Sequence, residues 1–158
     1  MQTETAFGAD GIDRFTVPLM ETKTLFGTLF TLPLRAAQVN PNRSLGVLWD
    51  DRRPLVEGFD NCYSYLVRFL QVGSVAGNHY HQAKDEIFHA AAGAFTVVLE
   101  DIESKQREEI DLRAEDNTFL YCPRIIAHAV RSASEGAVLI TLASHPNLEA
   151  DSFPYEMA

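Results

Sequence analysis

The chain has 158 residues, enough for one domain with a proper core, and its 46% hydrophobic and 22% charged residues are those of a globular protein, not a disordered one. A net charge of −9 argues against a polyanionic partner such as nucleic acid, whose binding needs a basic stripe to displace counterions. No apolar run approaches the ~18 residues of a transmembrane helix, and the acidic opening MQTETAFGADGID lacks the basic and apolar parts of a signal peptide, which predicts a cytoplasmic protein with no membrane partner.

Residues 1–25 are weakly patterned and read as an N-terminal arm or edge strand, so the main domain is expected over residues 26–158. Residues 26–34 and 44–49 read as strands, with Asn40-Pro41-Asn42 as a turn between them. A second break follows at Asp50-Asp51-Arg52-Arg53-Pro54 and a third at residues 58–61. Residues 63–70, rich in aromatic and branched side chains, predict a long strand. A loop over residues 73–78 leads into His79-Tyr80-His81. Further strands are expected over 86–90, 94–100, 107–112, 118–122, 128–131 and 137–143, with a turn near Gly93. Many short strands without a helical period indicate an all-β sandwich or barrel. Cys62 and Cys122 lie in apolar runs without CxxC spacing and are expected to be reduced core thiols.

His79 and His81 are two apart, so on a strand both imidazoles project from one face. Glu86 follows a polar stretch able to turn it back toward them, and His128 opens a later strand that a barrel could bring alongside. Three neutral imidazoles and a carboxylate suit a borderline divalent metal ion such as Zn, Fe, Ni, Mn or Co. A His-x-His pair by itself is more often a pair of surface or core histidines; the ordered set of four shifts the balance toward a metal site.

The string Gly77-Asn78-His79-Tyr80-His81, Glu86, Gly93 resembles the first motif of the cupin superfamily, and Pro123 followed by His128 within a β-run resembles the second. The resemblance implies an all-β cupin double-stranded β-helix, a jelly-roll barrel with metal ligands inside its mouth. Cupins usually carry Pro-x-Gly in the second motif, whereas this chain has Pro123-Arg124-Ile125, which predicts a wider turn before His128.

Residues 77–86 are similar to the metal-binding stretch in the cupin domain of bifunctional capsular polysaccharide enzymes, which epimerise a nucleotide-linked deoxysugar. The early strand Ser44-Leu45-Gly46-Val47-Leu48 and the tail from Leu139 to Tyr155 look like those of sugar 3,4-ketoisomerases. That family carries an arginine shortly before its first histidine, where this chain has Ala76, and a shorter gap to the glutamate. The spacing here favours the metal-bearing epimerase type. The resemblance thus implies an isomerase or epimerase of a nucleotide-linked keto-deoxy sugar, with a nucleotide sugar as its small-molecule partner. Competing readings are an Fe-dependent cupin dioxygenase and a small-molecule-binding cupin without turnover. Pairing through edge strands, with the N-terminal arm exchanged, predicts a homodimer.

Ligating histidines cannot also act as bases, so another group must move the proton; Tyr65 and Tyr121 are the candidates, although a barrel tyrosine is more often an ordinary packing residue. Arg68 is a charge in an apolar strand, able to hold a phosphate or to point into solvent. Tyr65 and Arg68 are three apart, so a regular strand puts only one of them in the cavity. Lys84 could contact an anionic ligand but is expected to be a solvated turn residue. His89, three beyond Glu86, is expected to face away from the ion and onto the surface, and His145 is expected to be solvated. Residues 100–109 read as an exposed charged hairpin.

Overall fold

The computed structural model describes residues 20–31, 35–37, 40–52 and 54–157, with side chains left aside for 35–37 and 40–45. The strands are β1 (Met20–Lys23), β2 (Thr28–Thr31), β3 (Arg35–Ala37), β4 (Asn40–Leu45), β5 (Tyr63–Phe69), β6 (Val75–Tyr80), β7 (Glu86–Ala92), β8 (Ala94–Asp101), β9 (Arg107–Arg113), β10 (Thr118–Cys122), β11 (Ile126–Ser132), β12 (Ala137–Ala143) and β13 (Phe153–Pro154). Two antiparallel sheets face each other, β1-β2-β10-β7-β12-β5 and β13-β6-β11-β8-β9, with β3-β4 as a separate ribbon. This is the jelly-roll β-barrel that the strand pattern and motifs predict.

Alternation along the strands builds the interior. Phe88 and Ala90 of β7, Phe95, Val97 and Leu99 of β8, Leu120 of β10 and Leu139 of β12 share one buried cluster between the sheets. Each such side chain contributes roughly 1.5–3 kcal/mol when fully buried. The opposite parity of the six-stranded sheet is also covered. Ile87, Phe119 and Leu142 pack with Phe30 and Phe59, and with Trp49, Leu55 and Val56 from the connection before β5. That cover buries His89, which is 7% exposed and stacks on Phe119 at 4.2 Å. The expected surface histidine is therefore a core residue on the outer face of β7, because Trp49, Leu55, Val56 and Phe59 pack on a face that alternation alone assigns to solvent.

Several other expectations are corrected. Asn40-Pro41-Asn42 lies in β4, not in a turn; the register jumps there from Ala36↔Ser44 to Ala37↔Asn40, an irregular two-stranded edge where a proline's missing N–H is tolerated. Strand β4 ends at Leu45, so residues 46–49 are not extended pairing. The expected strand over 26–34 keeps only Thr28–Thr31; residues 32–34 lie outside the described residues. Residues 75–78, expected as loop, belong to β6. Of the stretch 1–25, residues 1–19 lie outside the described residues, and Met20–Lys23 is an edge strand pairing with β2 of the same chain. Cys62 is exposed whereas Cys122 is buried, so only one of the two thiols is a core residue. In the β8–β9 hairpin Glu100 is not exposed; it takes Arg107 at 2.6 Å and the Tyr155 hydroxyl at 2.6 Å. Among the described residues no helix is long and apolar enough to cross a membrane.

Candidate active site and metal centre

The four motif residues converge between the two sheets. His79 is the penultimate residue of β6 and His81 lies just beyond its end; His128 lies on the neighbouring β11, paired with His79 in register; Glu86 opens β7 on the facing sheet. Their ligating atoms all lie within 4.8 Å of one another. The aim of His79 is set by a bulge. Pairing steps from His128↔His79 to Ala129↔Gly77, so Asn78 is the extra residue, and Gly77 (φ 91°) and Asn78 (φ 57°) both take left-handed backbone. A Cβ on Gly77 would lie 2.7 Å from the His128 carbonyl oxygen, which explains a glycine at this close approach.

The second motif closes in a hydrogen-bonded turn without its glycine. The Ile126 N–H donates to the Pro123 carbonyl at 3.4 Å and the Ile125 N–H to the His81 carbonyl at 2.7 Å. Ile125 itself sits at φ 74°, the conformation for which a glycine is ordinarily used. The expected wider turn is thus overturned: the β-branched residue absorbs the strain and leaves His128 seated in the barrel, 3% exposed.

Each imidazole has a partner on its outer nitrogen. His81 Nδ1 donates to the Asp151 carbonyl at 2.6 Å, which fixes the tautomer with a lone pair on Nε2. His79 Nδ1 lies 3.2 Å from Ser152 Oγ, and His128 Nδ1 lies 3.7 Å from the buried Cys122 Sγ. The inner atoms are left facing one another. Glu86 Oε2 is 3.1 Å from His128 Nε2 and 3.6 Å from His81 Nε2, yet Oε2 and His81 Nε2 are buried without a hydrogen bond. Unpartnered buried acceptors pointing at a common centre are costly unless something positive lies between them. The donor set and the orphaned atoms therefore fit a divalent cation.

The other oxygen of Glu86 is fully engaged. Oε1 accepts from the Tyr65 hydroxyl at 3.1 Å and pairs with Lys84 Nζ at 3.1 Å. Burial opposes ionisation of Glu86, but His128, His81 and Lys84 outweigh it and hold the carboxyl well below its usual range. Burial first, and then repulsion against taking up a proton beside the His128 and His81 rings, depress His79 to about 4, so it is neutral at pH 7. Burial and the Glu86 charge push the Tyr65 phenol well above its usual value. A cavity of about 50 Å³ opens beside this cluster, with Tyr65, His79, His128, Phe88 and Thr141 in its walls.

A family model described as FdtA, WxcM-like, C-terminal, matches residues 31–155. The chain belongs to that WxcM-like family. Its fold is shared with solved sugar-modifying enzymes. The sugar 3,4-ketoisomerase QdtA of Thermoanaerobacterium thermosaccharolyticum, in complex with TDP, is 18% identical over 83% of this chain and 89% of its own, with a TM-score of 0.68. The TDP-quinovose 3,4-ketoisomerase WlaRB of Campylobacter jejuni is 20% identical over 82% and 93%, with a TM-score of 0.68. The dTDP-6-deoxy-D-glucose-3,5-epimerase RmlC of Legionella pneumophila, in complex with dTDP-4-keto-L-rhamnose, is 16% identical over 85% and 76%, with a TM-score of 0.74. No curated protein sequence matches the chain.

In this WxcM-like chain the remaining candidates separate by strand parity. Tyr65 points inward from β5 to Glu86, while Arg68, of opposite parity, is exposed on the outer face and does not reach the cavity. Tyr121 also faces outward on β10: it packs edge-on to Phe59 at 6.4 Å and lines a separate hollow with Phe30, Leu55 and Val56, so the structure does not bring it to the histidines. Its phenol is pushed up to about 12 by burial and the charge of Asp85. Lys84 is not solvated. It is 3% exposed, and its ammonium is taken by Glu86 and by Asn147 Oδ1 at 3.3 Å. His145 is exposed after β12. The residues missed from the sequence are those of the segment 147–152, where Asn147, Asp151 and Ser152 hold Lys84, His81 and His79. They carry no motif, and their partners lie 63 to 73 positions away.

Proposed function

We propose that this chain is an isomerase or epimerase of a nucleotide-linked keto-deoxy sugar, with a divalent cation in the His79, His81, Glu86 and His128 cluster. The observation that carries the reading is the three-imidazole, one-carboxylate cluster opening onto a cavity walled by a protonated tyrosine, in a WxcM-like chain. Its fold neighbours include enzymes solved with TDP and with dTDP-4-keto-L-rhamnose, which supports a thymidine-diphosphate-linked 4-keto sugar as substrate.

A cation held by these four side chains would supply Lewis-acid polarisation of the sugar carbonyl as an enolate develops. The chain's own residues do the rest. At about 50 Å³ the cavity accepts the carbonyl edge of a ring and not a whole hexose, so the sugar lies across the mouth beside His79 with the nucleotide outside. A proton leaves the carbon next to the carbonyl for solvent water at the cavity mouth, and a proton returns from Tyr65, itself reprotonated from that water, to the opposite face for epimerisation or to the neighbouring position for isomerisation. Tyr65 Oη makes that return: the phenol keeps its proton at neutral pH, and Glu86 Oε1, 3.1 Å away, orients it.

A second reading rests on the Lys84–Glu86 pair. The ammonium already balances the carboxylate, so the cluster is neutral without a cation, and His79, neutral at pH 7, then takes the proton itself. One experiment tests both. The protein is incubated with TDP-4-keto-6-deoxyglucose in deuterated water and the sugar is followed by NMR. Deuterium at a carbon flanking the carbonyl is expected, lost on chelation and restored by added metal. Exchange that survives chelation selects the second reading, and no exchange on a panel of such sugars refutes both. Oxygen uptake with an Fe-loaded sample would instead favour a dioxygenase.

A further inference from the structure

The buried lysine at the site is unusual, since an ammonium is rarely taken out of water beside a set of cation ligands. Lys84 lies in the connection between β6 and β7, 3% exposed, with Nζ 3.1 Å from Glu86 Oε1 and 3.3 Å from Asn147 Oδ1. Tyr65 donates to the same Oε1, so that oxygen carries two hydrogen-bonding partners while Oε2 carries none. The carboxylate is thereby sorted into one occupied and one offered oxygen. A carboxylate free of such partners can present both oxygens to a cation.

We propose that Lys84 is a positioning residue that makes Glu86 a single-oxygen donor toward a divalent cation and weakens cation binding by holding a positive charge beside it. This rests on the reading that the four-residue cluster takes a cation. Two roles follow from one ammonium. It fixes the geometry of Glu86 by occupying Oε1, and it lowers the attraction of the cluster for a second positive charge by Coulomb repulsion in a poorly screened interior.

Co²⁺ is the probe, titrated into the full-length protein and read by its visible absorption and by calorimetry. Wild-type protein is expected to bind Co²⁺ with one absorption spectrum. Lys84→Met removes the charge and one of the two partners of Oε1, leaving Tyr65 alone on it, so the spectrum changes as the carboxylate becomes free to turn and affinity tightens by roughly 10- to 100-fold. Lys84→Gln keeps a neutral donor at Oε1; it is expected to keep the wild-type spectrum and still bind more tightly, which separates geometry from charge and stands alone if the Met variant does not fold. Wild-type binding with unchanged affinity in Lys84→Gln overturns the role of Lys84 while leaving the cation reading intact. An unchanged spectrum in a folded Lys84→Met variant overturns the geometric role. A wild-type protein that takes up no Co²⁺ overturns the cation reading and this proposal with it.

Discussion

Replacing Gly77 with alanine probes the joint that aims His79. The position has φ 91°, and a Cβ there would meet the His128 carbonyl oxygen at 2.7 Å and the Ala129 Cα at 3.2 Å. The left-handed backbone costs an alanine about 1–2 kcal/mol. The contact is with backbone of a central strand, which cannot rotate away, so β6 and β11 must part at the bulge; overpacking of this kind costs about 1–3 kcal/mol. The sum, about 2–5 kcal/mol, corresponds to a melting temperature lower by roughly 5–15 °C for a domain of this size. Gly73→Ala is the internal control: its φ is 83°, but nothing lies within 4 Å of its Cβ, so only the backbone cost remains. Differential scanning calorimetry of both variants isolates the contact. Because His79 and His128 are register partners across this joint, Gly77→Ala is also expected to weaken Co²⁺ binding, which Gly73→Ala leaves alone. Equal melting temperatures for the two variants would refute the account of the bulge.

Three further outcomes are expected. Tyr65→Phe lowers turnover on the 4-keto sugar by about 10²- to 10⁴-fold, as loss of a proton-transferring group does, whereas Tyr121→Phe, on the outer face, keeps near-normal turnover in the same assay. Burial keeps His89 neutral and lowers its folded-state pKa, so the unfolded chain takes up a proton that the folded chain refuses once the pH drops below the ordinary value of 6.5. Stability contributed by neutral His89 is therefore present above pH ~6.5 and lost as pH falls toward the lowered folded value, with a slope of up to about 1.4 kcal/mol per pH unit. Urea titrations between pH 5 and pH 7 should show a shallower loss in His89→Gln; a slope equal to wild type refutes the assignment, and part of the slope persists because His79 shifts the same way. Ile125→Gly is expected to change the urea midpoint little, since relief of the φ 74° backbone offsets the added chain entropy, while Ile126→Gly, which strips a side chain packed on the core, costs several kcal/mol.

What could be read from the sequence was local. His79 and His81 share a face because strand periodicity is two, a turn falls near Gly93, whose φ is 72°, and Tyr65 and Arg68 part company by the same parity. Long-range covering was invisible to such rules. The turn residue Lys84 looked solvated because nothing in its neighbourhood reveals Asn147 closing over it. His89 looked exposed because alternation assigns one face of a sheet to water unless another segment covers it, and the cover comes from Trp49, Leu55, Val56 and Phe59. Proline at 41 read as a turn because propensity does not say whether a strand lies at an edge. Ile125 is the reverse case, a residue whose identity argued against a tight turn that the surrounding hydrogen bonds impose.

The segment over residues 147–152 has a consequence for when the site exists. All four cluster residues have been synthesised once residue 128 has emerged, but the groups that hold His81, His79 and Lys84 come 19 to 24 positions later, from Asn147, Asp151 and Ser152. Its one helical turn, Glu149–Asp151, buries no residue. Few apolar contacts make a segment prone to open locally at a free energy far below that of global unfolding. Opening it would free two ring orientations and the lysine together while the barrel stays folded. Ordering of the site is thus expected to be an equilibrium separate from folding of the barrel, which hydrogen exchange at the Gln82 and Ala83 amides, donors to Asp151 Oδ1, tests directly: exchange there faster than in the barrel strands is the expected result.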